Sequence, residues 1–274
     1  MRYTNISILI KTPTPPPYFI GSQIRGAFGY ALKKVSCINP SYKCEGCFAK
    51  DNCVYYDFYE KKNTFHPYRF DITLGLKYYD FSLFLFENTT TQLPYVVSAL
   101  HLMLTKNGLG KERKTYNDFS LFINDEECFQ NGKIHLPNQY VKTFQINSFA
   151  KDITLVFQTP LRIKKANQFI RDTNIELAQI INSIHQRKMK LLQKEYQKFP
   201  HKIQGNITAK ELTYKELTRM SNRQKTTMKL GGLMGKIEIK NLNKECYETL
   251  KLGELIGVGK QTVFGLGKIG VIDE

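Results

Sequence analysis

The sequence predicts an α+β protein of two tandem ferredoxin-like (RRM-like) domains, with a cysteine-containing insertion after the first helix. Three observations predict it. The first half reads strand, helix, strand, strand, helix, strand. The strand running into Thr12-Pro13 is echoed by Leu155-Val-Phe-Gln-Thr-Pro160, as if a second unit began the same way. The 274 residues, 42% hydrophobic and 23% charged, are globular in composition and long enough for two cores. The expected division is 1–147 and 148–274.

Taken in order, Tyr3 to Lys11 alternates as a strand, and the proline run to Tyr18 forces an extended exit. A helix follows, with Ser22 as its cap and Ile24, Phe28, Ala31, Leu32 and Val35 recurring on one face. Arg25, Lys33 and Lys34 then point outward. Gly26 and Gly29 inside it each cost about 1 kcal/mol relative to alanine. Close approach of another element, such as the C-terminal glycine loop or RNA, would explain them.

Cys37, Cys44, Cys47 and Cys53 are separated by six, two and five residues. The Cys44-Glu-Gly-Cys47 knuckle resembles half of a zinc site, because two intervening residues let both thiolates reach one tetrahedral ion. A structural zinc, an iron–sulfur cluster and free thiols all remain open. Cys128 and Cys246 read as isolated buried thiols.

Residues 68–76 and 78–86 read as strands, 94–105 as a helix and 119–123 as a strand, with a loose hairpin or linker over 124–147. In the second half a helix spans about 174–198, with Leu177, Ile180, Ile181, Ile184, Leu191 and Leu192 on its apolar stripe. Arg187, Lys188, Lys190, Lys194 and Lys198 form its basic face. Strand material lies over 230–239, a helix over 244–255 and a last strand over 268–272.

Between those last two elements lies Gly257-Val-Gly-Lys-Gln-Thr-Val-Phe-Gly-Leu-Gly267. Paired Gly-x-Gly steps mark backbone that takes positive φ or lets another chain approach. The segment is either a tight turn or, with Lys260 and Lys268, an anion nest of exposed N–H groups. It is not a P-loop, since Gly-x-x-x-x-Gly-Lys-Ser/Thr is absent.

Charge points to the partner. With 40 Lys+Arg against 24 Asp+Glu the chain carries +16, which suits a polyanion, nucleic acid before membrane. There is no apolar run long enough for a membrane span, and the Ile6–Ile10 run is too short for a signal peptide, so a cytoplasmic location is expected. The 16 Tyr and 18 Phe can supply core and stacking faces for unpaired bases.

The glycine segment resembles the signature of CRISPR repeat-processing endoribonucleases of the RAMP superfamily. Gly21-Ser-Gln-Ile-Arg-Gly-Ala-Phe-Gly29, the cysteine cluster ending in Cys53-Val-Tyr55, and Arg219-Met-Ser-Asn-Arg-Gln224 before Gly231-Gly-Leu-Met-Gly235 resemble the branch with an N-terminal cysteine cluster. The resemblance implies binding of CRISPR repeat RNA and a single cut per repeat, without metal or other cofactor, by attack of a ribose 2′-hydroxyl. The products would be a 2′,3′-cyclic phosphate and a 5′-hydroxyl. Other CRISPR effector proteins are possible partners.

Such chemistry needs a base, an acid and a cation. The family often places a histidine, tyrosine or lysine at or just after the first helix. Here no histidine precedes His66, so His66, Tyr30 and Lys33 are the catalytic candidates, with Lys43 and Lys50 as substitutes. RNA-binding candidates are Arg219, Arg223, Gly257, Gly259, Lys260, Gly265, Gly267 and Lys268, with Arg113 and Lys114 behind them. Arg219 and Arg223, four apart, could share a helical face. The competing readings are a non-catalytic RAMP subunit of a CRISPR effector complex and a general RNA-binding module.

Overall fold

The computed structural model describes every residue except 63 and 222–225. It divides into two compact units, residues 1–70 with 74–143 and residues 71–73 with 144–274.

The first unit contains β1 (Arg2–Ile10), α1 (Gly21–Ser36), β2 (Tyr68–Ile72), β3 (Tyr79–Phe86), α2 (Leu93–Leu102) and β4 (Ser120–Ile123). Its sheet runs in the order β2-β3-β1-β4. β1 is antiparallel to both neighbours, with Ile8 opposite Phe81 on one side and Leu121 on the other. This is the ferredoxin-like order. Alternation sets which face is covered: Ile6, Ile8 and Ile10 are buried with Phe81, Leu83, Leu85, Leu121 and Ile123. α1 contributes Ile24, Phe28, Ala31 and Leu32 to the core. It begins at Gly21, before Ser22, and has no side-chain cap. Burial of Ile20 fixes the entry, and its carbonyl accepts the first helical bond, from Ile24 N–H at 2.9 Å. Residues 124–143 make only two-residue ladders.

The second unit repeats the plan. Its elements are β5 (Ile153–Leu161), α3 (Leu177–Leu191), β6 (Asn206–Lys215), the hairpin β7 (Thr218–Ser221) and β8 (Thr226–Lys229), β9 (Gly232–Lys240), α4 (Lys244–Ile256) and β10 (Ile269–Asp273). The sheet order is β6-β9-β5-β10. α3 is shorter than its hydrophobic pattern suggests. Glu176 is extended and bonds reciprocally with Gln179 at the start. At the other end Gln193 takes φ +54 and Lys194 N–H reaches back to Met189 O at 2.9 Å, closing the helix without the usual glycine. β6 has no counterpart in the sequence reading, because both its faces are largely polar and no residue in it is buried. Among the described residues no helix is long and apolar enough to cross a membrane.

Candidate catalytic cluster and nucleic-acid interface

In the first unit, Arg25, Gly29 and Lys33 follow one another at four-residue spacing along α1. The π-helical turn Tyr56–Glu60 and its flanking Tyr55 pack on that line. Tyr55 and Tyr59 stack with centroids 5.4 Å apart and planes 6° apart. A Cβ on Gly29 would lie 2.5 Å from the Tyr59 ring, so only glycine lets this turn approach. The close neighbour of Gly29 is therefore a tyrosine from the segment after the cysteine loop, rather than the C-terminal glycines. Nothing lies within 4 Å of a Cβ on Gly26, and nothing in the structure explains that glycine. Arg25 sits 4.6 Å above the Tyr59 ring, and Tyr59 Oη donates to Arg25 O at 2.7 Å.

His66 lies just before β2, its ring centroid 5.9 Å from that of Tyr68. Tyr68 is wholly buried and stacks on Phe58 at 4.5 Å, and its phenol lies close enough to Arg25 and Tyr59 to interact with both electrostatically. Burial raises the pKa of both Tyr59 and Tyr68, so both phenols stay protonated at neutral pH. An imidazole, a guanidinium and two phenols thus share one neighbourhood. Lys33 turns elsewhere, 5.1 Å over Tyr55 and 5.9 Å over Tyr42. Tyr30 is 54% exposed, with Lys34 at 4.9 Å. Arg25 is the cation beside Tyr68, although its position in the sequence pattern puts it among the outward residues. The four-residue step from Arg25 to Gly29 was the available signal.

The cysteine segment Cys37 to Cys53 presents four free, half-buried thiols that line one recess. Cys128 and Cys246 are buried elsewhere.

In the second unit, Gly257, Gly259, Gly265 and Gly267 all take φ between +71 and +79. The expected exposed N–H groups are not there. Gly257 N–H donates to Gly253 O, Lys260 N–H to Arg162 O, Gly265 N–H to Thr262 O and Gly267 N–H to Pro160 O. Gly259 N–H donates to Ser183 Oγ and Lys268 N–H to Thr159 Oγ1. A Cβ on Gly267 would lie 1.8 Å from Val258 O, and one on Gly259 2.4 Å from Arg162 O. Packing backbone against backbone, with β5 as one partner, consumes the donors that would have cradled an anion.

Two buried arginines brace this segment. Arg162 donates to Gly231 O and lies 4.2 Å over Phe169. Arg187 Nε donates to Ile256 O at 2.6 Å, placing a cation on the C-terminal carbonyls of α4. Arg187 is 3% exposed and so is not part of the basic face expected of α3. Lys260 is exposed. Burial of part of its side chain, then the like charges of Lys164 and Arg187, lower its pKa. Lys268 pairs with Asp71 at 2.5 Å, Asp71 being one of the three residues grouped with this unit.

Arg219 lies in β7, not in a helix. Its guanidinium is 4.5 Å over Phe264 of the glycine segment and 3.0 Å from Met228 Sδ. The Thr218–Lys229 and Met220–Thr227 pairings make this stretch a hairpin, which suits its β-branched threonines better than a helix does. Arg223 lies outside the described residues. Arg113, with φ +51, and Lys114 follow Gly110 in a turn of the first unit.

Comparison with known proteins accounts for both units. Residues 155–269 match the family described as CRISPR-associated endoribonuclease Cas6, and residues 1–122 match the N-terminal domain family AF_1859_N. An uncharacterized protein of Archaeoglobus fulgidus is 22% identical, covering 92% of this chain and 91% of its own. A product complex of Cas6 from Thermus thermophilus superposes with a TM-score of 0.60 at 14% identity, covering 99% of this chain and 100% of that one. A chain of a Cas6-RT-Cas1–Cas2 complex gives 0.55 at 14% identity over all of this chain and 29% of that one. At these identities the superpositions establish the fold alone, two tandem ferredoxin-like units.

Proposed function

We propose that this chain, whose residues 155–269 match the family described as CRISPR-associated endoribonuclease Cas6, binds CRISPR repeat RNA and cleaves it within the repeat by transesterification. The family match is the observation that carries this reading. In the proposed step the ribose 2′-oxygen attacks the adjacent phosphorus, and the bond from phosphorus to the 5′-oxygen breaks. A 2′,3′-cyclic phosphate and a 5′-hydroxyl result, with no metal in the step.

His66 takes the 2′-hydroxyl proton. The Arg25 guanidinium, which lies over the Tyr59 ring and beside Tyr68, balances charge building on the phosphate. The exposed Tyr30 phenol returns a proton to the departing 5′-oxygen. In the second unit Lys260, Lys164, Arg219, Arg223 and Lys268 contact the RNA backbone, while the glycines act by shaping the segment that carries Lys260. Partner proteins would come from CRISPR complexes, as the matched Cas6-RT-Cas1–Cas2 assembly suggests.

The test is incubation in EDTA with a cognate repeat RNA and with copies carrying one 2′-deoxy substitution at each candidate position. The expected result is one cut, lost when one particular 2′-hydroxyl is removed, and slowed about 100-fold or more in His66→Ala. Tight binding with no cut would replace this reading with that of a non-catalytic RAMP subunit of an effector complex. Weak binding indifferent to repeat sequence would replace it with a general RNA-binding module.

A further inference from the structure

The segment from Cys37 to Cys53 is inverted in hydrophobic terms. Its large apolar side chains face out: Ile38 is 70% exposed, Tyr42 48% and Phe48 75%. None of its residues is fully buried, and all four cysteines are among the few that are even half-buried. A loop held by apolar packing would show the opposite pattern. Only one short 3-10 turn, Lys50–Asn52, interrupts it.

The thiols are nevertheless gathered. Cys37, Cys44, Cys47 and Cys53 line a single recess together with Lys43 and Lys50. Cys47 N–H donates to Cys44 O at 3.3 Å, closing the turn between them. Gly46 in that turn has φ +67 and open space where a Cβ would be, so glycine is there for the backbone and not for packing. This turn carries two cysteines on one knuckle. Cys53 N–H bonds to Lys50 O at 3.4 Å, and Cys37 N–H to Lys33 O at 2.9 Å, at the end of α1. Among the described residues no three side chains of ligand type already converge on one point. The four thiols share a recess rather than a finished coordination sphere, and side-chain rotation within a loop that has no packed core can close it.

From this juxtaposition we propose that Cys37, Cys44, Cys47 and Cys53 bind one structural zinc ion as a tetrathiolate. Each thiol gives up its proton to solvent as its sulfur bonds the ion, at about 2.3 Å. Four thiolates around a dication leave a net charge of −2, which Lys43 and Lys50 in the same recess offset. With all four positions filled by sulfur, no water is activated there. The ion instead ties the end of α1 to the turn bearing Tyr55 and Tyr59, supplying the interior that the loop lacks. This inference stands independently of RNA cleavage.

The experiment is metal analysis of the full chain by mass spectrometry, without RNA, followed by exchange of the bound ion for Co(II). The expected result is about one zinc per chain and, with cobalt, intense sulfur-to-metal charge-transfer bands with the visible spectrum of a tetrahedral site. Cys44→Ser and Cys47→Ser should lose the ion, whereas Cys128→Ser and Cys246→Ser should keep it. If the first two variants fail to fold, the cobalt spectrum of the unaltered chain still decides, because its charge-transfer intensity reports the number of thiolates. Failure to take up stoichiometric zinc after reconstitution would overturn the proposal. So would iron with inorganic sulfide in its place, or retention of zinc by Cys44→Ser and Cys47→Ser.

Discussion

Arg25 and Tyr59 hold each other twice: the guanidinium lies 4.6 Å over the ring, and the hydroxyl returns a 2.7 Å bond to the Arg25 carbonyl. The ring fixes the cation from one side and the hydroxyl fixes the backbone beneath it. Tyr59→Phe keeps the ring and removes the second contact. It should reduce single-turnover cleavage several-fold while changing RNA affinity little, and should cost about 1 kcal/mol of stability. Equal losses of rate and affinity would show that Tyr59 serves binding instead.

The two glycines of α1 should respond in opposite directions. Gly29→Ala forces a methyl to 2.5 Å from the anchored Tyr59 ring and should destabilise the protein by about 1–3 kcal/mol. Gly26→Ala meets nothing and should stabilise it by about 0.5–1 kcal/mol. Urea denaturation of the two variants separates these outcomes, and equal effects would refute the packing argument.

Gly267→Ala combines positive φ with a Cβ 1.8 Å from Val258 O. The backbone must move, so a loss above about 2 kcal/mol is expected. Hydrogen exchange should show the Lys260 and Lys268 amides losing protection first, since both are bonded within this segment.

Lys260→Ala should leave stability within about 0.5 kcal/mol, because the side chain is exposed. It should weaken RNA binding and lower the slope of log affinity against log salt by about 0.7 for a single-stranded contact. An unchanged salt slope would remove Lys260 from the interface.

His185 and His101 have pKa values lowered by burial first, and then by nearby lysines. The folded protein therefore resists protonating them, while the unfolded chain protonates near pH 6.5. Their contribution to stability is complete above about pH 6.5 and is lost as pH falls through the lower folded-state values. Denaturation midpoints should drop from pH 7.5 to 5.5, and His185→Gln should flatten the drop. A midpoint rising toward pH 5.5 would reverse this assignment.

The parts legible in the sequence are those that one face of burial dictates. Ile6, Ile8 and Ile10 announce β1, and Ile24, Phe28 and Leu32 announce α1, because a side chain bound for the core must recur with the period of its element. β6 lacked that mark, being polar on both faces. The end of α3 was hidden because Gln193 takes a conformation usually reserved for glycine. Arg25 is not legible for a related reason: Tyr59 and Tyr68 lie 34 and 43 residues further on, and no local pattern shows which exposed-looking arginine they will cover. Arg187 falls on the basic face by its spacing, and its acceptor is a backbone carbonyl, which has no signature in a sequence.

The inward-turned amides of the glycine segment bear on how such chains diverge. Selection that preserves these glycines preserves the closure of a sheet against its neighbouring loop, and that requirement persists whether or not the protein cuts anything. With His66 and Arg25 acting as proposed, a descendant could lose both, keep all four glycines, and remain well folded. Among relatives, the glycine signature should therefore track architecture, and the presence of catalysis should follow the residues around Tyr68.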